Sequence, residues 1–285
     1  MNKGVFMSNK ISRAFIYLIL ILMSITMLVP FIWMFLTAFK TVAETMQVDP
    51  FVYIPKVWQV QNFSNVVKAM DFVRLYANTL AMVGLRIFFA VATATLSGYA
   101  FARLEFKGKN LMFTIVLLQM MIPVQIYVIP QYVMVSKLHW TNTVMGLVFP
   151  GLVSAFGTFL FRQAFKQLPR DLEEAARLDG CSIPQTFLFV MAPLTKSSMV
   201  ALGIFTAVFA YKDLMWPMIV CPDNRATTLA SALAKMNGQY QQKYPELMMA
   251  ALISCVPMIV IYILFQRQFI EGIATSGGKL YTAGC

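Results

Sequence analysis

The segment AFIYLILILMSITMLVPFIWMFLTAF, residues 14–39, contains no Lys, Arg, Asp or Glu. A helix rising ~1.5 Å per residue needs about 20 apolar residues to cross the hydrocarbon core of a bilayer, and this run is long enough. Lys3, Lys10 and Arg13 precede it, which gives it the outline of a secretory signal. A signal core, however, is only about 7–15 residues long and leads into a small-x-small cleavage site. This run has 26 residues and no such site after it. It reads as an uncleaved first membrane helix.

Residues 110–136, 138–161 and 247–266 are equally free of acidic and basic side chains. Two more apolar stretches hold isolated charges: Arg86 lies between Arg74 and Arg103, and Lys212 and Asp213 lie within 197–220. The expected spans are 14–39, 75–102, 110–132, 142–163, 197–220 and 247–267. A cytoplasmic loop covers 164–196 and a cytoplasmic tail 268–285, all in a single membrane domain, 1–285. The fold class is therefore all-α, with six transmembrane helices. Barrel strands would be about 9–11 residues of alternating pattern, shorter than any of these runs. Composition agrees, at 59% hydrophobic and 12% charged, against roughly 25% charged in soluble domains.

The formal charge of +11 suggests an anionic partner, but topology accounts for it. With the N-terminus inside, 13 Lys/Arg fall in cytoplasmic segments and 8 in external ones, leaving Arg86 and Lys212 within the membrane. That bias follows the positive-inside rule and puts both termini in the cytoplasm. No nucleic-acid partner is implied, and membrane lipid is the surrounding medium.

His139 is the only histidine, and Cys181, Cys221, Cys255 and Cys285 form no C-x-x-C pair. Metal ligation and histidine-based catalysis are not expected, and no catalytic or metal-binding residue is assigned. Cys255 is expected to be a buried structural cysteine. No Gly-x-x-x-x-Gly-Lys-Ser/Thr loop occurs, so the chain lacks that route to ATP. A cofactor in this chain is not expected.

The connection between spans four and five is too long and too charged merely to join helices. After Leu168-Pro169-Arg170, the acids Asp171, Glu173 and Glu174 suit the positive end of a helix dipole. Ala175 and Ala176 make a smooth face, and Gly180 supplies a helix stop. Ser182-Ile183-Pro184 begins a second short helix. Helix, glycine turn and helix are expected beneath the membrane. An ordinary interfacial helix would have a broader apolar face and more basic residues.

Glu174-Ala175-Ala176-Arg177-Leu178-Asp179-Gly180, followed by Phe187 and Ala192-Pro193, resembles the E-A-A…G signature of bacterial ABC importer permeases. Weaker pieces keep the family's order: Phe31-Ile32-Trp33-Met34, Asn78-Thr79-Leu80, Tyr99-Ala100-Phe101-Ala102-Arg103, Met121-Ile122-Pro123, Trp216-Pro217 and Gln268-Phe269-Ile270-Glu271-Gly272-Ile273. Over nearly its whole length the chain resembles the shorter permease subunit of maltose-type and glycerol-phosphate-type carbohydrate importers.

The resemblance implies a type I ABC importer bundle moving a carbohydrate by alternating access. The implied partners are a second homologous permease, an ATPase dimer that holds ATP and Mg, and an extracytoplasmic solute-binding protein. It assigns ATPase coupling to Glu174, Ala175, Ala176, Arg177, Asp179 and Gly180. Tyr211-Lys212-Asp213 departs from the family's usual Trp-Asn-Asp, and Cys181 follows the signature glycine where a small residue such as Ala is usual.

Candidate substrate-pathway residues are Asn78, Gln119, Tyr211, Asp213 and Trp216, with Arg86 and Lys212 as intramembrane charges, which are costly and usually functional. Adjacent residues on a helix point about 100° apart, so Asp213 is expected to face the cavity while Lys212 faces a neighbouring subunit or the headgroups. Two alternatives remain at this point. One is a permease of the same family for a sugar-phosphate or polyol. The other is an ion-coupled secondary transporter, which would call for repeated halves and broken helices with ion ligands.

Overall fold

The computed structural model describes residues 3–223, 225–239 and 243–276, with side chains for 12–223, 225–237 and 243–266. By contacts it divides into two units, Met1–Asp71 with Lys235–Val256, and Phe72–Ala234 with Pro257–Cys285.

In the first unit, α1 (Lys3–Ala38) is followed by α2 (Val42–Met46) and α3 (Gln61–Ala69). The apolar window of α1 buries none of its surface against the chain. Its exit is tightly organised. Lys40 is 1% exposed, donates from Nζ to the Val52 carbonyl at 2.6 Å and lies 4.1 Å from the Trp33 ring centre. Burial pulls its pKa below the usual lysine value, while Glu44 pushes the other way. Thr41 caps α2: its hydroxyl accepts from the Glu44 N–H, and its own N–H donates to Glu44 Oε2 at 2.8 Å. The Lys56 N–H donates to Glu44 Oε1 at 2.9 Å. These backbone donors, Thr41 first, hold the Glu44 carboxyl below its ordinary pKa.

The second unit is built on α4 (Phe72–Arg103), against which α8 (Ala155–Gln167) and α12 (Lys196–Tyr211) pack. Two apolar clusters sit along it. One gathers Met82, Val83, Val135, Leu147, Ala207, Trp216 and Val220, and the other Ala94, Tyr99, Phe161, Phe165, Phe187 and Leu202. Ser97 and Thr158 share a hydrogen bond at 2.8 Å between α4 and α8, the kind of short polar link that helps helices associate where apolar burial gives no advantage over lipid. The remaining helices are α5 (Lys109–Met121), α6 (Val128–Lys137), α7 (Val144–Val148), α9 (Asp171–Leu178), α10 (Ile183–Gln185), α11 (Ala192–Leu194), α13 (Met215–Val220), α14 (Leu229–Gln239) and α15 (Tyr244–Ser276). The last two run across the boundary between the units.

Ser12–Ala38, Phe72–Arg103 and Tyr244–Gln266 are each long and apolar enough to cross a membrane. Three bent helix pairs pass the same test together, which gives up to six spans.

The breaks correct three expectations of continuous helices, the mildest being the stretch 142–163, which bends by 48° between Val144–Gly151 and Ala155–Gln167. The stretch expected to cross at 110–132 turns by 102° between Lys109–Met121 and Val124–Lys137. Pro123 sits in the break, where it can neither donate a backbone hydrogen bond nor leave the preceding residue helical. The stretch 197–220 stops at Tyr211 and resumes at Met215. Pro217 has no N–H to offer the carbonyl of residue 213, so the helical ladder cannot continue across Lys212–Leu214. α12 instead pairs with Ile183–Leu194 across a 74° bend. Among the described cysteines, Cys221 is the buried one, while Cys255, expected to be buried, is partly exposed. Of the C-terminal tail, the backbone is helical to Ser276, and Cys285 lies outside the described residues.

Candidate functional site

Two sites emerge within the second unit. The first is the loop after α8. The three acids Asp171, Glu173 and Glu174 occupy the first turn of α9. Its end is a Schellman arrangement: the Gly180 N–H donates to the Arg177 carbonyl at 3.0 Å and the Cys181 N–H to the Ala176 carbonyl at 2.9 Å. Gly180 has φ +84°, a conformation that L side chains rarely adopt. Ser182 then starts the next helix with its N–H on Gln185 Oε1 at 2.8 Å.

α9 presents two faces. Ala176 is buried, and Glu173, with its side chain 12% exposed, lies 3.8 Å from Arg103 Nη1. Arg103 Nη2 donates to the carbonyls of Phe165 and Leu168 at 2.6 Å each. One guanidinium therefore ties the ends of α4 and α8 to α9. Phe187 of the following π-helical turn (Thr186–Met191) packs on Tyr99 with ring centres 5.1 Å apart. On the opposite face Glu174, Ala175, Arg177 and Asp179 are exposed, and Leu178 is 89% exposed. Of the six residues assigned to coupling, only Ala176 faces inward. The sequence reading missed Arg103 and Glu173 as the anchor. The legible signal was an arginine closing span two near a helix whose first turn carries three acids.

The second site is a cavity of about 1050 Å³ whose wall includes Arg86, Gln125, Gln131, Thr206, Lys212 and Asp213. Arg86 is 6% exposed, pairs with Asp213 at 2.8 Å (Nη1 to Oδ2), and donates to the Leu147 carbonyl from Nε at 3.0 Å and Nη2 at 2.5 Å. The backbone of Gly151 lies so close that a Cβ there would meet the Arg86 stem at 2.5 Å. The other Asp213 oxygen accepts from the Trp216 N–H at 3.4 Å, capping α13.

This geometry corrects the expected division of labour between Lys212 and Asp213. Both lie on the cavity wall, because the helix that was to point them apart ends at Tyr211. The other pathway candidates scatter. Trp216 is on the wall, yet it is 3% exposed and its Nε1 donates to the Gly146 carbonyl at 2.9 Å. The Asn78 amide donates to the carbonyls of Arg225 and Thr227 at 3.3 and 3.1 Å, bracing a loop. Tyr211 packs on an apolar cluster, and Gln119 is exposed away from the wall. No group of three or more His, Cys, Asp or Glu side chains suited to a metal ion occurs among the described residues.

Long and bent apolar helices beside a cavity with charged residues on its wall, and a helix with one open face, suit a membrane permease. Residues 87–274 match the model of the binding-protein-dependent transport system inner membrane component family, and the chain belongs to that family. It is 29% identical to the arabinooligosaccharides transport system permease protein AraQ of Bacillus subtilis (strain 168), over 94% of this chain and 96% of the relative. It is 28% identical to the sn-glycerol-3-phosphate transport system permease protein UgpE of Escherichia coli (strain K12), over 80% and 84%. Its fold matches a chain of a bacterial ABC transporter involved in alginate import at a TM-score of 0.77, with 20% identity and coverage of 91% and 97%. The chain is thus an inner-membrane transport component, not an enzyme, and membership sets aside the ion-gradient-driven alternative.

Proposed function

We propose that this chain is one of two homologous permease subunits of an importer that carries a carbohydrate across the cell membrane. A separate ATPase dimer, holding ATP and Mg, drives it, and an extracytoplasmic binding protein delivers the solute. With each bent pair crossing once there are six spans and both termini lie on one side. The excess of Lys and Arg in the segments on that side suggests that it is the cytoplasm. The supporting observation is the two-faced helix α9: Glu173 and Ala176 fix it to the bundle while Glu174, Ala175 and Leu178 stay open to a partner. A small-residue helix face permits close approach, and an exposed carboxylate can form a charge-assisted pair with a basic groove. The carbohydrate assignment follows the arabinooligosaccharide relative, while the glycerol-3-phosphate relative keeps a polyol phosphate as the alternative solute.

The test is physical association. The tagged chain should co-purify with a Walker-motif ATPase, and Glu174→Arg should deplete that ATPase while leaving the membrane subunits together. An unchanged ATPase yield would show that α9 is not the docking element. For topology, single cysteines at positions 106 and 175 should label only in inverted vesicles, and those at 60 and 140 from outside. A reversed pattern at any of them would sink the six-span arrangement.

A further inference from the structure

The cavity wall carries two cations and one anion, and the anion is already engaged. Asp213 binds Arg86 through one oxygen and caps α13 through the other, while Arg86 directs its other nitrogens to the Leu147 carbonyl. Lys212 is different. Its Nζ lies 4.5 Å from the Phe209 ring centre, and among the described residues no carboxylate pairs with it. The side chain is exposed at the break between α12 and α13, on the same wall.

An ammonium beside a low-dielectric cavity, its counter-charge consumed elsewhere, attracts an anion strongly. A contact with an aromatic face compensates only part of the lost hydration. The rest of the polar lining is neutral: the amides of Gln125 and Gln131 and the hydroxyl of Thr206 can donate to and accept from sugar hydroxyls. A wall with hydroxyl-binding groups and one unmatched cation fits a polyhydroxylated solute carrying a negative charge.

Building on the importer reading, we propose that the transported solute is an acidic sugar or polyol, bearing a carboxylate or a phosphate, and that Lys212 is the residue that recognises its charge. Lysine suits either group, because its ammonium is a compact point charge without the fixed fork of arginine. Neutral sugars would leave that ammonium unpaired at the cavity wall and are disfavoured for the same electrostatic reason.

The experiment uses the full importer with its own binding protein in proteoliposomes. The probes are a galacturonate disaccharide, glycerol 3-phosphate and a neutral arabinose disaccharide. ATP-driven uptake of at least one anionic probe is expected, with the two arms separating carboxylate from phosphate. Lys212→Gln should lower that uptake roughly tenfold, the scale of one charge-assisted contact, while Lys212→Arg retains most of it. Subunit yield, read by gel filtration, should be unchanged in both.

Uptake of the neutral probe alone, or of none of the probes by an assembled and ATPase-active complex, overturns the proposal. So does anionic uptake that is indifferent to Lys212→Gln. Loss of subunit association in Lys212→Gln would also overturn it, by showing that the cation's partner is the second permease. A failure of the importer reading itself would appear elsewhere, as a chain that binds no ATPase.

Discussion

Helix α4 carries two buried arginines, and they have opposite jobs. Arg86 and Arg103 are 17 positions apart on one helix (103 − 86), or about 25 Å along its axis at ~1.5 Å per residue. Each donates to backbone carbonyls of the bent pair 144–167 or the residue just past it, Arg86 to Leu147 and Arg103 to Phe165 and Leu168. Each then recruits one carboxylate. Arg86 takes Asp213 from the break before α13, at 2.8 Å on the cavity wall. Arg103 takes Glu173 from α9, at a looser 3.8 Å. A single helix therefore holds the cavity wall at one end and α9, the element proposed to meet the ATPase, at the other. The tighter pair lies within the bundle, and the looser one joins α9, which on the proposed function would transmit motion.

The largest expected effect follows from the tighter pair. Arg86→Met leaves the Asp213 carboxylate, 21% exposed, without its counter-ion. Breaking a buried pair from one side costs about 3–5 kcal/mol. The variant should assemble poorly, with low complex yield and a lowered midpoint of thermal unfolding. Replacing both members, Arg86→Met with Asp213→Leu, should recover much of the yield, since no bare charge remains. Asp213→Asn should likewise fall short in assembly and not in transport alone. Full yield for both single variants would show that the pair is not structural.

The coupling end should respond in activity more than in yield. At Gly180 a β-branched side chain meets left-handed backbone, at a cost of ~1–2 kcal/mol. Gly180→Val should abolish solute-stimulated ATP hydrolysis while the subunits stay together. Gly180→Asn, tolerant of that conformation, should keep most of it. Glu173→Gln is the milder perturbation. The pair is longer, at 3.8 Å, and the amide keeps the side chain's shape, so less is lost than at Arg86. The substitution should lower the ratio of stimulated to basal ATP hydrolysis severalfold without changing the KM for ATP. Equal behaviour of Glu173→Gln and wild type would make the Arg103 link incidental.

Much of this was readable from the residues, and the misses share one cause. Uncharged length marked the membrane helices, because lipid imposes the same requirement wherever the segment lies. The E-A-A…G loop was legible because its helix start, small face and glycine stop are all local. What failed was long-range or depended on a helix continuing. Arg86 and Asp213 are 127 positions apart, and nothing local couples them. The argument that Lys212 and Asp213 face different ways assumed an unbroken helix, although Pro217, four residues after Asp213, was the visible reason that it breaks. Asn78 and Trp216 have the polar and aromatic character of solute contacts, yet their donors close carbonyls of the chain itself. A residue type alone does not reveal which demand it meets.

A third buried cation sharpens the comparison from the other unit. Lys40 is held by the Val52 carbonyl and the Trp33 ring, with Glu44 acting on it only through space. Lys40 titrates below its ordinary value of 10.5 because of burial, so this burial cost is present at neutral pH and is relieved as pH rises toward 10.5. Glu44 titrates below its ordinary value of 4.5, chiefly because the Thr41 N–H binds its carboxylate. Its contribution is therefore full above pH 4.5 and is lost as pH falls through the lower folded value. Protonating Glu44 also removes the charge that favours the Lys40 ammonium. Residues 40–62 should consequently hold their structure from neutral to mildly alkaline pH and loosen below about pH 4.5. Hydrogen exchange at the Lys56 amide, which donates to Glu44, reads this directly. Its protection should fall on acidification in the wild type. In Glu44→Gln it should be weaker throughout and insensitive to acid. An equally steep acid response in Glu44→Gln would assign the transition to another group.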